Sequence, residues 1–553
     1  MRKLLPLAAV ALGAAASSSP ARAQSPGIDV DRYRFEITLP TSGTTIRVAS
    51  TLAFARAAGT RELKVDLLAP MQVEAVTLGC DAAAPARFTH DGRVVRIALG
   101  DAPASGGTGG TTERARTECA TVRYAGAPAD GLIISTDTAG RWRAFGDNWP
   151  DRGRHWLATV DHPSDKALVE FVVDAPASLR VIANGTERSV TERTGNPARR
   201  VTTWASTQPI PTYLMVIAAA PLVMTDLGAT ACGLSAVTRC VPQRIWTAPE
   251  QQRYMPGHFV EADSIVRFFA RLVGPFPYAQ LQHLQSSTRF GGMENAGAIF
   301  YNDALFRRPM GVDVGLIAHE TAHQWFGDAV TEREWGHLWL SEGFATYFAA
   351  LYTEHSRGAV PFAKQMAEIR AQILEAREVA SRPVLDTAQT NLLELLNTNS
   401  YQKGGYVLHM LRREVGDSAF FRGVRDYWTT HRHGNALTAD LQRAVEAEHG
   451  QPLGWFFDQW LRKPGFAEVT YAWSFDADAR KVSIQVDQTG RFGAYRLRVP
   501  VRISGPNGEI QEGAVNVSAS RSVIVEVPWV GMGAPAQVTL DPQQVILGRF
   551  TSR

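Results

Sequence analysis

The chain has 553 residues, which is too long for a single hydrophobic core and indicates about three domains. Apolar residues make up 45% of it and charged residues 20%, so the composition excludes a largely disordered chain and a protein with many membrane spans. Residues 1–23 hold three of the 57 basic residues and no acidic one, so the remainder has 54 of each sign. This balance argues against nucleic acid or an anionic membrane as a partner.

Residues 1–23 have the pattern of a secretory signal peptide. A positive start at Arg2 and Lys3 is followed by an apolar stretch over 4–16 and by an Ala-Arg-Ala site that ends at Ala23. An uncleaved membrane anchor is the alternative, but it needs about 20 apolar residues, and this stretch is shorter. We therefore expect export to the periplasm or the extracellular space, with cleavage near Ala23. No later apolar run is long enough to span a bilayer.

The sequence contains four cysteines, an even number that favours two disulfides in an exported chain. Their order suggests that Cys80 pairs with Cys119 and Cys232 with Cys240, and free buried thiols are the alternative. The chain has no C-x-x-C motif, so neither redox catalysis nor zinc bound by cysteine is indicated.

The N-terminal part is predicted to be a β domain over residues 24–247. Apolar and polar residues alternate at its start, which is the pattern of a half-buried strand, with the apolar positions at Tyr33, Phe35, Ile37 and Leu39. Similar short apolar runs recur to about residue 222, with turn residues between them. The polar, glycine-rich stretch over 101–118 is expected to be a loop within this domain.

From about residue 260 the apolar residues recur with the period of a helix, and we predict an α-rich domain over 248–463. One helical face carries apolar residues before Gly274 and Pro275 end the helix, namely Ile265, Phe268, Phe269 and Leu272. Further helices are expected in the segments 313–326, 338–355, 361–378, 391–396, 403–414 and 437–448.

The pattern returns to strands after Lys463-Pro464-Gly465. Apolar residues then alternate with polar ones at Val469, Tyr471, Trp473 and Phe475, and again at Val482, Ile484 and Val486. We predict a small C-terminal β-sandwich over 464–553. The fold class is therefore α+β, with several domains.

The segment 313–326 contains the sequence His319-Glu320-Thr321-Ala322-His323. Residues four apart on a helix lie on one face, so the two imidazoles can bind one metal ion, while Glu320 points to the side. Glu342 follows within the segment 338–355 and is a candidate third ligand. A chance occurrence or a structural cluster is the alternative, because H-E-x-x-H alone is a short motif.

Two histidines and one glutamate would leave a fourth position open on a tetrahedral zinc ion, which is typical of catalytic rather than structural sites. Glu320 could then take a proton from an attacking water and pass it to a leaving amine. We therefore predict one zinc ion per chain, bound by His319, His323 and Glu342, and hydrolysis as the reaction.

Three further motifs surround this pattern: Gly291-Gly292-Met293-Glu294-Asn295, Trp325-Phe326-Gly327-Asp328 and Tyr401-Gln402-Lys403-Gly404. Together with H-E-x-x-H and Glu342, they resemble the gluzincin aminopeptidases of the M1 family. The resemblance implies a thermolysin-like zinc peptidase domain in the α-rich region. It also implies peptides with a free N-terminus as substrates. The large C-terminal helical domain of longer members is expected to be absent.

The resemblance also implies roles for single residues. Glu294 would bind the free α-ammonium group of the substrate, and Tyr401 would donate a hydrogen bond to the oxyanion of the tetrahedral intermediate. Gly291 and Gly292 would pair their main-chain groups with a peptide laid alongside as a strand, although a simple turn is the alternative. Met293 would line the first specificity pocket, and Asn295 belongs to the same substrate-binding motif.

Many family members use a second residue from the N-terminal domain to bind the substrate amine. Asp147 or Asn148 is the candidate here, and the sequence alone leaves both open.

Three functions remain in view: a zinc aminopeptidase, a bifunctional aminopeptidase and epoxide hydrolase with the same zinc ligands, and a binding protein that keeps the fold without catalysis. The presence of all six expected zinc-binding, catalytic and amine-binding residues favours the aminopeptidase.

Overall fold

The structure is a computed structural model that describes residues 27–100, 117–231, 240–307 and 312–553. The predicted signal peptide, most of the predicted loop over 101–118 and Cys232 lie outside the described residues, as does any pairing of Cys232 with Cys240. No helix in the described part of the chain is long and apolar enough to cross a lipid bilayer.

The described residues form two compact units. The first contains the described residues up to Glu334, together with Thr390–Leu393 and Trp428–Ala436. The second contains Trp335–Gln389, Glu394–Tyr427 and Leu437–Arg553.

β-Strands form most of the first unit, as the alternating pattern predicts. In the strand Ile28–Thr38, Tyr33, Phe35 and Ile37 are buried, while the polar residues between them are partly or fully exposed. The strand pairs with Ile46–Arg56 on one side and with Lys166–Pro176 on the other. The nine strands of this sheet are Thr186–Arg193, Arg199–Ala205, Lys166–Pro176, Ile28–Thr38, Ile46–Arg56, Glu118–Gly126, Gln72–Leu78 and Ala84–Pro85 in spatial order, with Ile210–Pro211 beside Lys166–Pro176.

Two smaller sheets complete the N-terminal β domain. One has three strands, Glu62–Asp66, Val94–Ala98 and Phe88–His90, and the other has four, Arg180–Ala183, Ile217–Ala220, Trp142–Gly146 and Leu132–Thr136.

Cys80 and Cys119 form a disulfide, as their order in the chain suggests. The pairing joins the strand Glu118–Gly126 to the segment that follows its neighbour Gln72–Leu78.

A mixed five-stranded sheet follows, which the helical periodicity of this region does not predict. Its strands are Val223–Ala231, Cys240–Thr247, Leu281–Ser286, Ala298–Asn302 and Gly292–Met293 in spatial order. The last of them is only two residues long and lies at the edge of the sheet, antiparallel to Ala298–Asn302. A pair of short strands, Val330–Glu332 and Gly434–Ala436, lies in parallel in the same unit.

Helices form most of the remainder up to residue 461, and the predicted segments are found with small changes. The segment 361–378 is divided into two helices, and 391–396 is a short 3-10 turn. Four helices were not predicted: Met255–His258, Asp303–Phe306, Asp417–His431 and Gly454–Leu461. The α-helices are Met255–His258, Ala262–Leu272, Asp303–Phe306, Val314–His323, Trp339–Arg357, Ala359–Glu375, Arg377–Ser381, Gly404–Val415, Asp417–His431, Thr438–His449 and Gly454–Leu461. Shorter helical turns are Gly153–His155, Thr212–Leu214, Pro249–Tyr254, Trp335–His337, Leu392–Leu395 and Asn399–Lys403, of which the last is a π-helix.

The C-terminal strands form two sheets, as the return to alternating apolar residues predicts. Val469, Tyr471, Val482, Ile484 and Val486 are buried. One sheet consists of Ser522–Pro528, Lys481–Asp487, Ala467–Asp476 and Gly548–Ser552, and the other of Ile510–Val517, Leu497–Ser504 and Gln537–Leu540. The α+β class is confirmed, whereas the exact domain boundaries stay predictions.

Candidate active site

The two histidines of the H-E-x-x-H motif lie on the helix Val314–His323, called the His helix below. Its first turn is capped by Asp313, whose carboxylate accepts hydrogen bonds from two backbone N–H groups of that turn. Such a cap satisfies N–H groups that have no partner within the helix. Just beyond the other end, the indole N–H of Trp325 donates to the carbonyl of Gly274 at 2.9 Å. The helix is therefore held at both ends.

The imidazoles of His319 and His323 face each other one turn apart. Their ring centroids are 4.8 Å apart and their Nε2 atoms 3.1 Å apart. The Nδ1 atom of His323 lies 3.1 Å from the carbonyl oxygen of Phe326. Because a carbonyl oxygen only accepts hydrogen bonds, this contact keeps the hydrogen on Nδ1 and leaves the lone pair on Nε2. Two imidazoles turned to one point in this way are a donor set that fits zinc.

Two buried carboxylates lie beside His323. Glu320 is 5% exposed and Glu294 is 6% exposed. One oxygen of each carboxylate and one ring nitrogen of His323 all lie within 4.8 Å of one another. Buried carboxylates at this separation repel each other and have lost most of their hydration. A cation bound beside them, either a metal ion or an ammonium group, therefore lowers the energy of the whole group.

The segment that carries Glu294 begins with the edge strand Gly292–Met293. Gly292 pairs with Tyr301 and Met293 with Phe300, and no further strand follows in the described sheet. The outer main-chain groups of an edge strand are available to an added extended peptide. Gly292 lies in this strand and Gly291 directly precedes it, while the pairing of a peptide with this edge stays a prediction.

Gly292 also lies directly against the carboxylate of Glu320. A Cβ atom placed at residue 292 would collide with Oε1, Cδ and Cγ of Glu320. The close approach explains why the sequence needs glycine here: any side chain would push the carboxylate of Glu320 away from His323.

We expect a Gly292→Ala variant to lose most of its activity, because the methyl group must displace the Glu320 carboxylate. A displacement of about 1 Å at a catalytic group typically costs roughly 100-fold in rate. Gly257→Ala is a suitable control, since a Cβ atom at residue 257 meets open space. The measurement is kcat on an amino-acid arylamide. A Gly292→Ala variant with the wild-type kcat would contradict the expected displacement of Glu320.

In the second unit, Glu342 and Tyr401 lie together. Glu342 is 5% exposed and belongs to the first turn of the helix Trp339–Arg357. The hydroxyl of Tyr401 donates to Oε1 of Glu342 at 2.8 Å. Tyr401 itself lies in the π-helical turn Asn399–Lys403, a kind of turn that is rare and frequent at functional sites.

Three glycines allow this close packing. A Cβ atom at Gly343 would lie 2.8 Å from the carbonyl carbon of Gly404 and 3.1 Å from the nitrogen of Gly405. Backbone therefore packs on backbone beside Glu342, and this contact brings the Tyr401 turn against the helix that carries Glu342.

The structure thus places the predicted site residues in two groups. His319, Glu320, His323 and Glu294 come together in the first unit, and Glu342 lies with Tyr401 in the second. Met293 is 2% exposed and Asn295 is fully buried, so both side chains point into the protein.

The two candidates for a second amine-binding residue already have partners in the first unit. The Asn148 side chain donates to the carbonyl of Met215 and accepts from the indole of Trp156. Asp147 accepts from the hydroxyl of Thr288 and forms an ion pair with Arg152 at 3.1 Å. Both side chains are fully buried. Both side chains thus have partners within the protein, and a role of either residue in binding the substrate amine stays a prediction.

Two residues that support the site were not found from the sequence. Lys166 comes from the N-terminal β domain and donates to the carbonyls of Asp328 and Ala329, each at 2.9 Å, just after the His helix. Asp328 is fully buried, and burial together with the nearby charge of Glu294 raises the pKa of Asp328 well above its usual range. Gln324 lies between the His helix and the Glu294 segment. Single polar residues of this kind have no motif that would reveal them.

Comparisons with known proteins agree with this geometry. A sequence model of the peptidase family M1 domain matches residues 261–460, and a model of the peptidase M1 N-terminal domain matches residues 135–214. The first match contains both groups of site residues, and the second contains Lys166.

The chain is also similar to individual proteins. It is 28% identical over 514 residues to aminopeptidase N of Streptomyces lividans, a match that covers 88% of this chain and 55% of the relative. A probable aminopeptidase 2 of Sulfurisphaera tokodaii is 25% identical over 64% of this chain and 45% of its own length. The chain thus spans about half the length of the curated relatives it matches.

Solved structures give the same result. An M1 zinc metallopeptidase from Deinococcus radiodurans superimposes with a TM-score of 0.65 at 26% identity, over 76% of this chain and 91% of that protein. A mutant of such an enzyme with a bound Tyr-Ser-Ala substrate superimposes with a TM-score of 0.67, also at 26% identity, over 79% and 94% of the two chains. Because these similarities extend over both the β domain and the α-rich region around the His helix, the chain belongs to peptidase family M1.

Proposed function

We propose that this protein is a zinc aminopeptidase that removes single residues from the free N-terminus of peptides. The observation that carries the proposal is the grouping of Glu294, Glu320 and His323 within the first unit. A candidate metal ligand, a candidate proton acceptor and a candidate amine anchor lie side by side there, which is what a metal-dependent aminopeptidase requires.

His319, His323 and Glu342 would hold the zinc ion, as the H-E-x-x-H motif and the glutamate that follows it predict. The donor chemistry fits zinc, because two neutral imidazoles and one carboxylate are a common catalytic set. When bound, zinc supplies Lewis-acid chemistry, which acidifies water and polarises a peptide carbonyl. The hydrogen bond from Tyr401 to Glu342 would orient that carboxylate as a ligand.

The other residues would move or stabilise charge. Glu320 accepts a proton from the attacking water, whose oxygen forms a bond to the carbonyl carbon of the substrate. Glu320 then passes the proton to the nitrogen of the leaving amine, and the C–N bond of the peptide breaks. The Tyr401 hydroxyl has one hydrogen, which it donates to Glu342 in the structure. On substrate binding this hydrogen would turn to the oxygen that becomes negative in the tetrahedral intermediate.

Glu294 would make the enzyme an exopeptidase. Its carboxylate lies beside His323 and would bind the substrate ammonium group, so that only the first peptide bond comes within reach of the metal. The outer edge of Gly292–Met293 would bind the substrate main chain as an added strand. The tripeptide bound to a Deinococcus radiodurans relative supports peptides of this size as substrates.

The test is a panel of aminoacyl arylamides, each assayed with a free and with an acetylated amine. We expect the free forms to be cleaved and the acetylated forms to be resistant. A Glu294→Gln variant should lose roughly 10- to 100-fold in kcat/KM on free-amine substrates, because a neutral amide replaces the negative charge that pairs with the substrate ammonium group. Zinc content, measured on the same samples, should be one ion per chain. Equal cleavage of both forms by the wild-type enzyme would refute the aminopeptidase proposal.

We also propose that the protein is exported. The proposal rests on the charge and apolar pattern of residues 1–23. N-terminal sequencing of protein recovered outside the cytoplasm should give a chain that begins near Gln24. A chain that starts at Met1 in that fraction would contradict cleavage.

A further inference from the structure

Gln324 connects the His helix to the segment that carries Glu294. It follows His323 directly and is fully buried. Its Nε2 atom donates to the carbonyl oxygen of Glu294 at 2.7 Å, and its Oε1 atom accepts from the backbone N–H of Gly297 at 2.8 Å. One side-chain amide thus holds both ends of the segment 294–297.

The segment is also held from its other side. Asn184, from the N-terminal β domain, donates to the carbonyl oxygen of Ala296 at 3.0 Å and to that of Leu214 at 2.8 Å. Its own side-chain oxygen accepts from the backbone N–H of Val216 at 2.7 Å. Asn184 therefore fixes the segment 294–297 to the β domain, and Gln324 fixes the same segment to the His helix.

We infer that Gln324 is a positioning residue that sets the separation between the amine anchor Glu294 and the metal-binding His323. The inference rests on the proposed function, in which Glu294 binds the substrate amine. The side chain of Gln324 bonds to the backbone of residues 294 and 297, so it acts on the amine anchor through that backbone.

An amide suits this role because it offers an acceptor and a donor on two atoms bonded to the same carbon. The segment presents a carbonyl oxygen at 294 and an N–H group at 297, and only a group with both functions satisfies the two at once. Buried hydrogen bonds of this kind are costly to leave unmade, so the separation is held firmly. Methionine at 324 has nearly the same length but makes neither bond. Glutamate keeps the acceptor and loses the donor.

A fixed separation matters because it selects the peptide bond that is cleaved. If the Glu294 segment moves relative to His323, the ammonium group is bound at a variable distance from the metal. The enzyme would then discriminate less between free and blocked amines. It would also release dipeptides beside single residues.

The experiment compares Gln324→Met and Gln324→Glu with the wild-type holoenzyme. The main quantity is the ratio of kcat/KM on a free-amine arylamide to that on its acetylated form. We expect this ratio to fall at least tenfold in Gln324→Met and by a smaller factor in Gln324→Glu, with zinc content unchanged at one ion per chain. Mass spectrometry of a digested hexapeptide should show dipeptides that the wild-type enzyme does not release.

Gln243→Met is the matched control. Gln243 is also a buried glutamine of the first unit, and its Nε2 atom donates to Thr230 and to the carbonyl of Ala262, away from the Glu294 segment. This variant should lose thermal stability to a similar extent and keep the wild-type ratio. In a Glu294→Gln background, Gln324→Met should change the ratio less than twofold, because the residue acts through the anchor.

The outcomes separate the inference from the proposed function. A wild-type enzyme with no preference for the free amine would refute the proposed function itself. A wild-type enzyme with that preference, together with folded, zinc-loaded Gln324→Met and Gln324→Glu variants that keep it within twofold, would overturn the role of Gln324. If Gln243→Met lowers the ratio by as much as Gln324→Met does, the role of Gln324 is overturned as well.

Discussion

Replacing Glu320 by glutamine is expected to abolish turnover while the protein keeps its zinc. Glutamine has the same shape but cannot accept a proton, and general acid–base catalysis contributes roughly 100- to 10,000-fold to rate. The structure supports this expectation, since Glu320 is buried beside His323 and packs against Gly292. The measurement is kcat on an amino-acid arylamide, with zinc determined on the same sample.

Glu332→Gln is the matched control for this prediction. Glu332 is another buried glutamate of the first unit, 1% exposed, and it lies outside the group around His323. Its replacement should change kcat by only a few-fold. Full activity in a zinc-loaded Glu320→Gln enzyme would show that another group takes the proton.

Replacing Tyr401 by phenylalanine should lower kcat by roughly 100- to 1,000-fold, the usual cost of losing one hydrogen-bond donor to an oxyanion. KM should change little, because the bond to the oxyanion forms only as charge develops. The variant also loses the 2.8 Å hydrogen bond to Glu342, so zinc affinity is to be measured separately by competition with a chelator.

Tyr347→Phe provides the comparison. Tyr347 is also buried in the second unit, and its hydroxyl contacts Arg412 rather than Glu342. We expect near wild-type kcat for this variant. If Tyr401→Phe lost activity only in proportion to lost zinc, Tyr401 would be a ligand-orienting residue and not an oxyanion donor.

Periodicity predicted much of the fold. The helix expected over 313–326 is Val314–His323, and the one expected over 338–355 is Trp339–Arg357. Both carry apolar residues on a buried face, and such a pattern is visible without tertiary information. The short edge strand Gly292–Met293 was not predictable, because two residues have no period and their pairing depends on the distant strand Ala298–Asn302.

The site was predictable where its residues form motifs, and not where it depends on packing. The spacing of His319 and His323 on a helix predicts facing imidazoles, and they do face each other. The Tyr401 bond to Glu342 depends on the contact of Gly343 with Gly404 and Gly405, which sequence spacing does not reveal. Gln324 and Lys166 act through backbone carbonyls, so their side-chain types gave no signal of a role.

The edge strand Gly292–Met293 has a consequence for which peptides are tolerated. A polypeptide docked there would be recognised through amide groups that every polypeptide shares, and these carry no information about side-chain identity. Selectivity would then be confined to the terminal residue, and the remaining positions could vary freely. An enzyme built in this way is suited to degrading mixtures rather than to processing one particular hormone or precursor.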